Sequence, residues 1–158
     1  MRVYRGLAAA LAALSIVVVG SPASAAAMDS ASASKLRQLD IMLMVSALRC
    51  RHSSHGFQAD YYRFSEAHLS ELNGASRYLE KELGRHHGAT GAKRALDKMS
   101  VAMANTYGQG HPDMDCEQLK IATRELASND QPGALLAAAD RLLMRADGGR
   151  VNLAARGQ

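Results

Sequence analysis

The stretch LRQLDIMLMVSALRC, Leu36 to Cys50, decides the fold class. Leu36, Leu39, Leu43, Ala47 and Cys50 fall at i, i+3, i+7, i+11 and i+14, which is one face of an α-helix. Ile41, Met44, Val45 and Leu48 widen that stripe, so this helix is expected to be buried on more than one side. A strand would alternate apolar and polar residues, and no run of that kind is long enough anywhere in the chain.

Toward the C-terminus, His52-Ser53-Ser54-His55-Gly56 breaks the helical pattern. A second and longest helix then runs from near Phe57, with Phe57, Tyr61, Phe64, His68, Leu72, Ala75, Leu79 and Leu83 as its stripe. Gly74 inside it costs about 1 kcal/mol relative to Ala unless another helix packs closely there. Basic Arg85, His86 and His87 followed by Gly88 are a stop signal. Gly91 to Tyr107 reads as a third helix with Leu96, Met99, Met103 and Tyr107 on its face. Gly108 to Pro112 cannot continue it, and Asp113 or Asp115 is placed to cap a fourth helix through Cys116, Leu119, Thr123 and Leu126. Asn129 or Asp130 is placed to cap a fifth, with Pro132 in its first turn and Leu135, Leu136, Ala139, Leu142, Leu143 and Ala146 inside.

Toward the N-terminus, the chain opens as an exported protein does. Arg2 and Arg5 precede the uncharged apolar run Leu7–Val19, then Gly20-Ser21-Pro22 and the small residues Ala23-Ser24-Ala25. That run is well short of the ~20 residues of a membrane anchor, so no transmembrane segment is expected in the mature chain. The expected organisation is a signal peptide over 1–25, a flexible N-terminus over 26–34, a helical domain over 35–146 and a flexible C-terminal tail over 147–158. Cleavage removes two arginines and lowers the formal charge from +4 to +2. Basic and acidic residues interleave, as across Arg77 to Arg85, which marks a solvated helix face and argues against a nucleic-acid partner.

The chain has two cysteines, Cys50 and Cys116. An even pair in an exported protein defaults to one disulfide, and closing so long a loop is worth roughly 4 kcal/mol in chain-entropy theory. It would tie the end of the first helix to the start of the fourth. The expected fold is therefore all-α: a small four- to five-helix bundle clamped by one disulfide.

Candidate sites are few, and each has a plainer structural reading. Exported His and Met side chains bind copper, and His52, His55 and His111 are the candidate ligands, although Met42, Met44, Met99 and Met103 fall on helical core faces. His86 and His87 are adjacent on a helix and diverge. His68 lies on an apolar stripe with Glu71 at i+3, which suits either a carboxylate-held general base or a hydrogen-bonded histidine at the core edge. The segment from Asn105 to Asp113 is the densest in polar groups, with Asn105, Tyr107, Gln109, His111 and Asp113 as a candidate interaction loop next to Cys116. Its plainer reading is a helix-to-helix turn.

Several chemistries are excluded. There is no Cys-x-x-Cys-His for covalent haem, and no Gly-x-Ser-x-Gly, His-Glu-x-x-His or phosphate-binding glycine loop. Gly108-x-Gly110 is followed by Asp113 where a dinucleotide fingerprint needs glycine. No cofactor is expected.

The segments Ala47–Arg51, Phe57–Tyr61, Ala67–Asn73 and Val101–Asn105 carry a resemblance, over about Leu36 to Leu126, to a group of small exported alphaproteobacterial helical proteins of unestablished activity. Some chains of that kind bear an S-adenosylhomocysteine hydrolase label. That enzyme needs a dinucleotide-binding domain, which a helical chain of this length without the glycine fingerprint cannot supply. The absence of catalytic motifs and the disulfide-stiffened scaffold together lead to the expectation of a periplasmic or secreted, non-catalytic envelope interaction or stress-type protein with a protein or envelope partner. The alternative is a small-ligand or copper-type metal carrier, and a small hydrolase acting through His68 and His111 ranks last.

Overall fold

The computed structural model describes residues 28–143. The expected signal peptide (1–25) and C-terminal tail (147–158) lie outside the described residues. Within them the protein is an all-α bundle, with no strand. Helix α1 spans Ser30–Cys50, α2 Gln58–Ala67, α3 Leu69–Tyr107 and α4 Cys116–Ala127. A last helix, α5, occupies 134–143.

Helix α1 starts earlier than the expected domain start at 35. The Asp29 carboxylate accepts the Ser32 N–H at 2.7 Å and caps the helix. Ala33 is fully buried, so residues 30–34, read as flexible for want of large apolar side chains, are held by a small one that fits tightly. The stripe Leu36, Leu39, Leu43, Ala47 and Cys50 is buried, as its spacing predicts. Ile41 joins it, but Met44 and Leu48 are exposed, so α1 is not covered all round.

The expected second helix is two helices. His68 departs from helical dihedrals (φ −110°, ψ 17°) between α2 and α3. The His68 N–H still donates to the Phe64 carbonyl and the Leu72 N–H to the His68 carbonyl, so the axis kinks without a loop. Phe57, Phe64, Leu72, Ala75 and Leu79 carry one buried stripe across that kink.

Helix α3 is a hairpin folded at Gly88, the residue expected to stop a helix. Gly88 has φ +66° and ψ 169°, a left-handed backbone that suits glycine. Ser76 and Ser100 lie on opposite sides of it, and a straight helix would separate them by about 36 Å. Both hydroxyls instead accept from the guanidinium of Arg37, at 3.5 and 3.2 Å. Gly84 and Ala92, equally spaced about Gly88, also meet across the fold. The two arms therefore run antiparallel and pack together on α1.

Asp115 caps α4 in a complete capping box with Gln118. The last helix begins later than expected. Asn129 accepts the Gln131 N–H in a preceding turn, and Gly133 (φ +80°) introduces the helix at 134. Leu135, Ala138, Ala139, Leu142 and Leu143 complete the core.

Candidate functional site

The end of the bundle where α1 meets α4 gathers most of the residues singled out by sequence. Cys50 and Cys116 are joined with their Cα atoms 5.8 Å apart, a normal separation for a disulfide. Beside them Arg49 donates from Nη1 to the Gly108 carbonyl at 3.3 Å. Its Nε would lie only 3.1 Å from a Cβ at Gly110, whose φ is +106°. Glycine at 110 thus serves both the backbone turn and the close approach of the arginine.

The candidate loop divides into an inward and an outward half. Tyr107 is fully buried, and its hydroxyl accepts from Gln38 Nε2 at 3.1 Å. His111 is buried and stacks on Tyr107 with ring centroids 6.1 Å apart. Its Nδ1 accepts the Asp113 N–H at 3.2 Å, so Nε2 carries the proton and donates to the Leu142 carbonyl at 3.2 Å. Asn105, Gln109 and Asp113 are exposed.

The candidate metal ligands are not brought together. His52 Nε2 accepts from Arg51 Nε at 2.9 Å, and the His55 N–H donates to Ser53 Oγ at 3.2 Å, so both residues build the turn after α1. Both ring nitrogens of His111 are engaged, and both sulfurs lie in the disulfide. Among the described residues no three His, Cys, Asp or Glu side chains are grouped to hold a metal ion.

His68 is a core histidine. Its Nε2 donates to the Leu126 carbonyl at 2.8 Å, near the end of α4, and its ring packs on Phe64 at 5.4 Å. The partner of that nitrogen is this carbonyl and not Glu71. The bond also accounts for the kink, because the residue that reaches across to α4 is the one that leaves helical geometry.

Two carboxylates, Asp60 buried and Asp40 half-buried, were missed by sequence reasoning. Asp60 is 3% exposed and meets Arg63 and Arg124, the latter through Nε at 3.2 Å, tying α2 to α4. Its place between Phe57 and Phe64 on the buried face was the available signal. Burial raises its pKa, but the bonds and charges of Arg124 and Arg63 outweigh that and hold it below the usual carboxylate value. Asp40 accepts from the Tyr61 hydroxyl at 3.0 Å. Here burial wins over Tyr61 and Arg37, and its pKa is raised. Burial and the Asp40 charge push Tyr61 well above the ordinary tyrosine value.

The same region carries an apolar opening on the α1–α2 face. Met44 (37% exposed), Leu48 (45%) and Tyr62 (64%) line a shallow cleft of about 210 Å³ with Ala47, Gln58 and Tyr61. Comparison with protein-family models, curated proteins and solved structures finds no match.

Proposed function

We propose that this protein is exported and works without catalysis, as an envelope interaction or stress-type protein that seats apolar side chains of a partner protein on its α1–α2 face. The observation that carries this reading is the cleft of Met44, Leu48 and Tyr62, three large apolar side chains exposed together. The groups suited to catalysis are otherwise engaged. His68 and His111 are bonded to backbone carbonyls of α4 and α5, and Asp60 is held between two arginines. The leader-like N-terminus and the disulfide support export, since disulfides persist in oxidising compartments. No helix among the described residues is long and apolar enough to cross a membrane.

The test is photo-crosslinking in the native host, with a photoreactive side chain at position 48 or 62 and control placements at 105 and 109. The reading predicts one defined adduct from 48 and 62 that is lost when Met44→Asp is added. Adducts only from the control positions, or an adduct indifferent to Met44→Asp, would refute it.

A further inference from the structure

Two hydroxyl side chains in the helices are buried, Ser46 and Thr123. Thr123 donates to the carbonyl four residues back, as do the half-buried Ser76 and Ser100, the usual way a helix accommodates a hydroxyl. Ser46 is 1% exposed, and its Oγ has no hydrogen-bond partner among the described residues. A buried hydroxyl left unmade is costly, so each such group calls for an explanation.

Ser46 lines a cavity of about 260 Å³ at the disulfide, just below the usual size range of ligand sites. Met114, Leu119 and the two cysteines supply apolar wall. Arg49 and Asp115 also line it, with opposite charges. Arg49 is seated over Gly110 by its bond to the Gly108 carbonyl, which uses one of its five N–H donors. No ion pair joins it to a carboxylate among the described residues. Asp115 uses Oδ1 to cap α4, and a carboxylate has further acceptor positions.

We propose that this cavity binds a small zwitterion of free amino-acid type. The ligand carboxylate meets Arg49, its ammonium meets Asp115, and its side chain lies against Ser46, Met114 and Leu119. A simple anion would be repelled by Asp115 and a simple cation by Arg49, so the pair selects for both charges on one molecule. This goes beyond the interaction reading. It uses a different face of α1 from Met44 and Leu48, so either can fail alone.

The experiment is an amide chemical-shift titration of the oxidised full chain with glycine, L-serine and L-leucine, and with acetate and methylamine as half-probes. The proposal predicts saturable shifts at Ser46, Gly110 and Leu119 with at least one amino acid, and no saturation with either half-probe at the same concentration. Arg49→Gln and Asp115→Asn should each weaken binding about tenfold or more, the scale of one charged hydrogen bond. Asn is itself a good N-cap, so the second change leaves α4 in place. Leu48→Glu should leave the titration unchanged. Absence of saturation with all three amino acids, equal response to acetate alone, or binding unaffected by Arg49→Gln would overturn the proposal.

Discussion

The disulfide end and the α3 hairpin are built by opposite means. From the disulfide along α4 to its far end, the links join residues far apart in sequence. Cys50 meets Cys116 across 66 positions, Asp60 meets Arg124 across 64, and His68 meets the Leu126 carbonyl across 58. Along the hairpin the side-chain hydrogen bonds are mostly local: Ser76 to Leu72, Ser100 to Leu96, Thr106 to Ala102 and Arg85 to Glu82. Its long-range polar braces come from neighbouring residues of α1, Arg37 and Gln38. Local periodicity and an apolar stripe suffice for the hairpin. The other end depends on specific pairs, and both proposed binding regions lie beside it.

The largest expected effect comes from cutting the strongest of those pairs. Replacing both cysteines by alanine should cost up to about 4 kcal/mol of unfolding free energy, the chain-entropy figure for a loop of this size. Urea unfolding of oxidised wild type against the double variant reads it directly, and a difference below about 1 kcal/mol would show that the end is held by its other contacts.

Asp60 comes next. Asp60→Asn should destabilise by about 1 kcal/mol, because Arg63 and Arg124 are largely exposed and return to water when the carboxylate is lost. The pH dependence separates Asp60 from Asp40. Asp60 has a lowered folded pKa, so its contribution is present above the unfolded value of 3.8 and is lost as pH falls through the folded one. Asp40 has a raised folded pKa, so its contribution is present below 3.8 and is lost as pH rises through the folded one. Chemical unfolding between pH 2 and 7 should therefore show Asp60→Asn flattening the acid-side loss and Asp40→Asn weakening the opposing trend. Indistinguishable profiles would contradict the two assignments.

In the hairpin the expected effects are local. Gly88→Ala places a Cβ on a backbone that is essentially glycine-only, with no neighbour to strike, so the cost is backbone strain alone, about 1–3 kcal/mol. Thermal unfolding should register it while the α4 amides keep their protection. Gly74→Ala goes the other way. Nothing lies within 4 Å of a Cβ there, so helix propensity should raise stability by about 0.5–1 kcal/mol. A loss of stability at Gly74→Ala would mean that the helix surface there is closed.

What was legible in the sequence follows the same division. The stripe from Leu36 to Cys50, the interruption at Gly88, the Asp115 cap and the cysteine pair are all signalled by residues close in sequence or by simple counting. The kink at His68 was not, because a carbonyl on α4 draws that ring out of a stripe that looks continuous from Phe57 to Leu83. Tyr107 reads as the last residue of a helix face and as part of the candidate loop, and His111 as a loop residue, yet α1 and α5 supply them with bonding partners. Met44 and Leu48 read as core because their spacing is helical and apolar, and spacing does not reveal that no helix covers that face. The start of α1 was obscured by the smallness of Ala33, a residue with no hydrophobic signal of its own but a fully buried place in the bundle.

The claim beneath both binding proposals is that the disulfide fixes the α4–α5 end onto a core that the hairpin and α1 can hold alone. Hydrogen exchange measured residue by residue, before and after reduction of Cys50–Cys116, tests it most directly. The account predicts that reduction lowers protection across Cys116–Ala127 and 134–143 far more than across Leu36–Ala47 and the two arms of α3. Protection lost equally everywhere, or unchanged throughout, would contradict it.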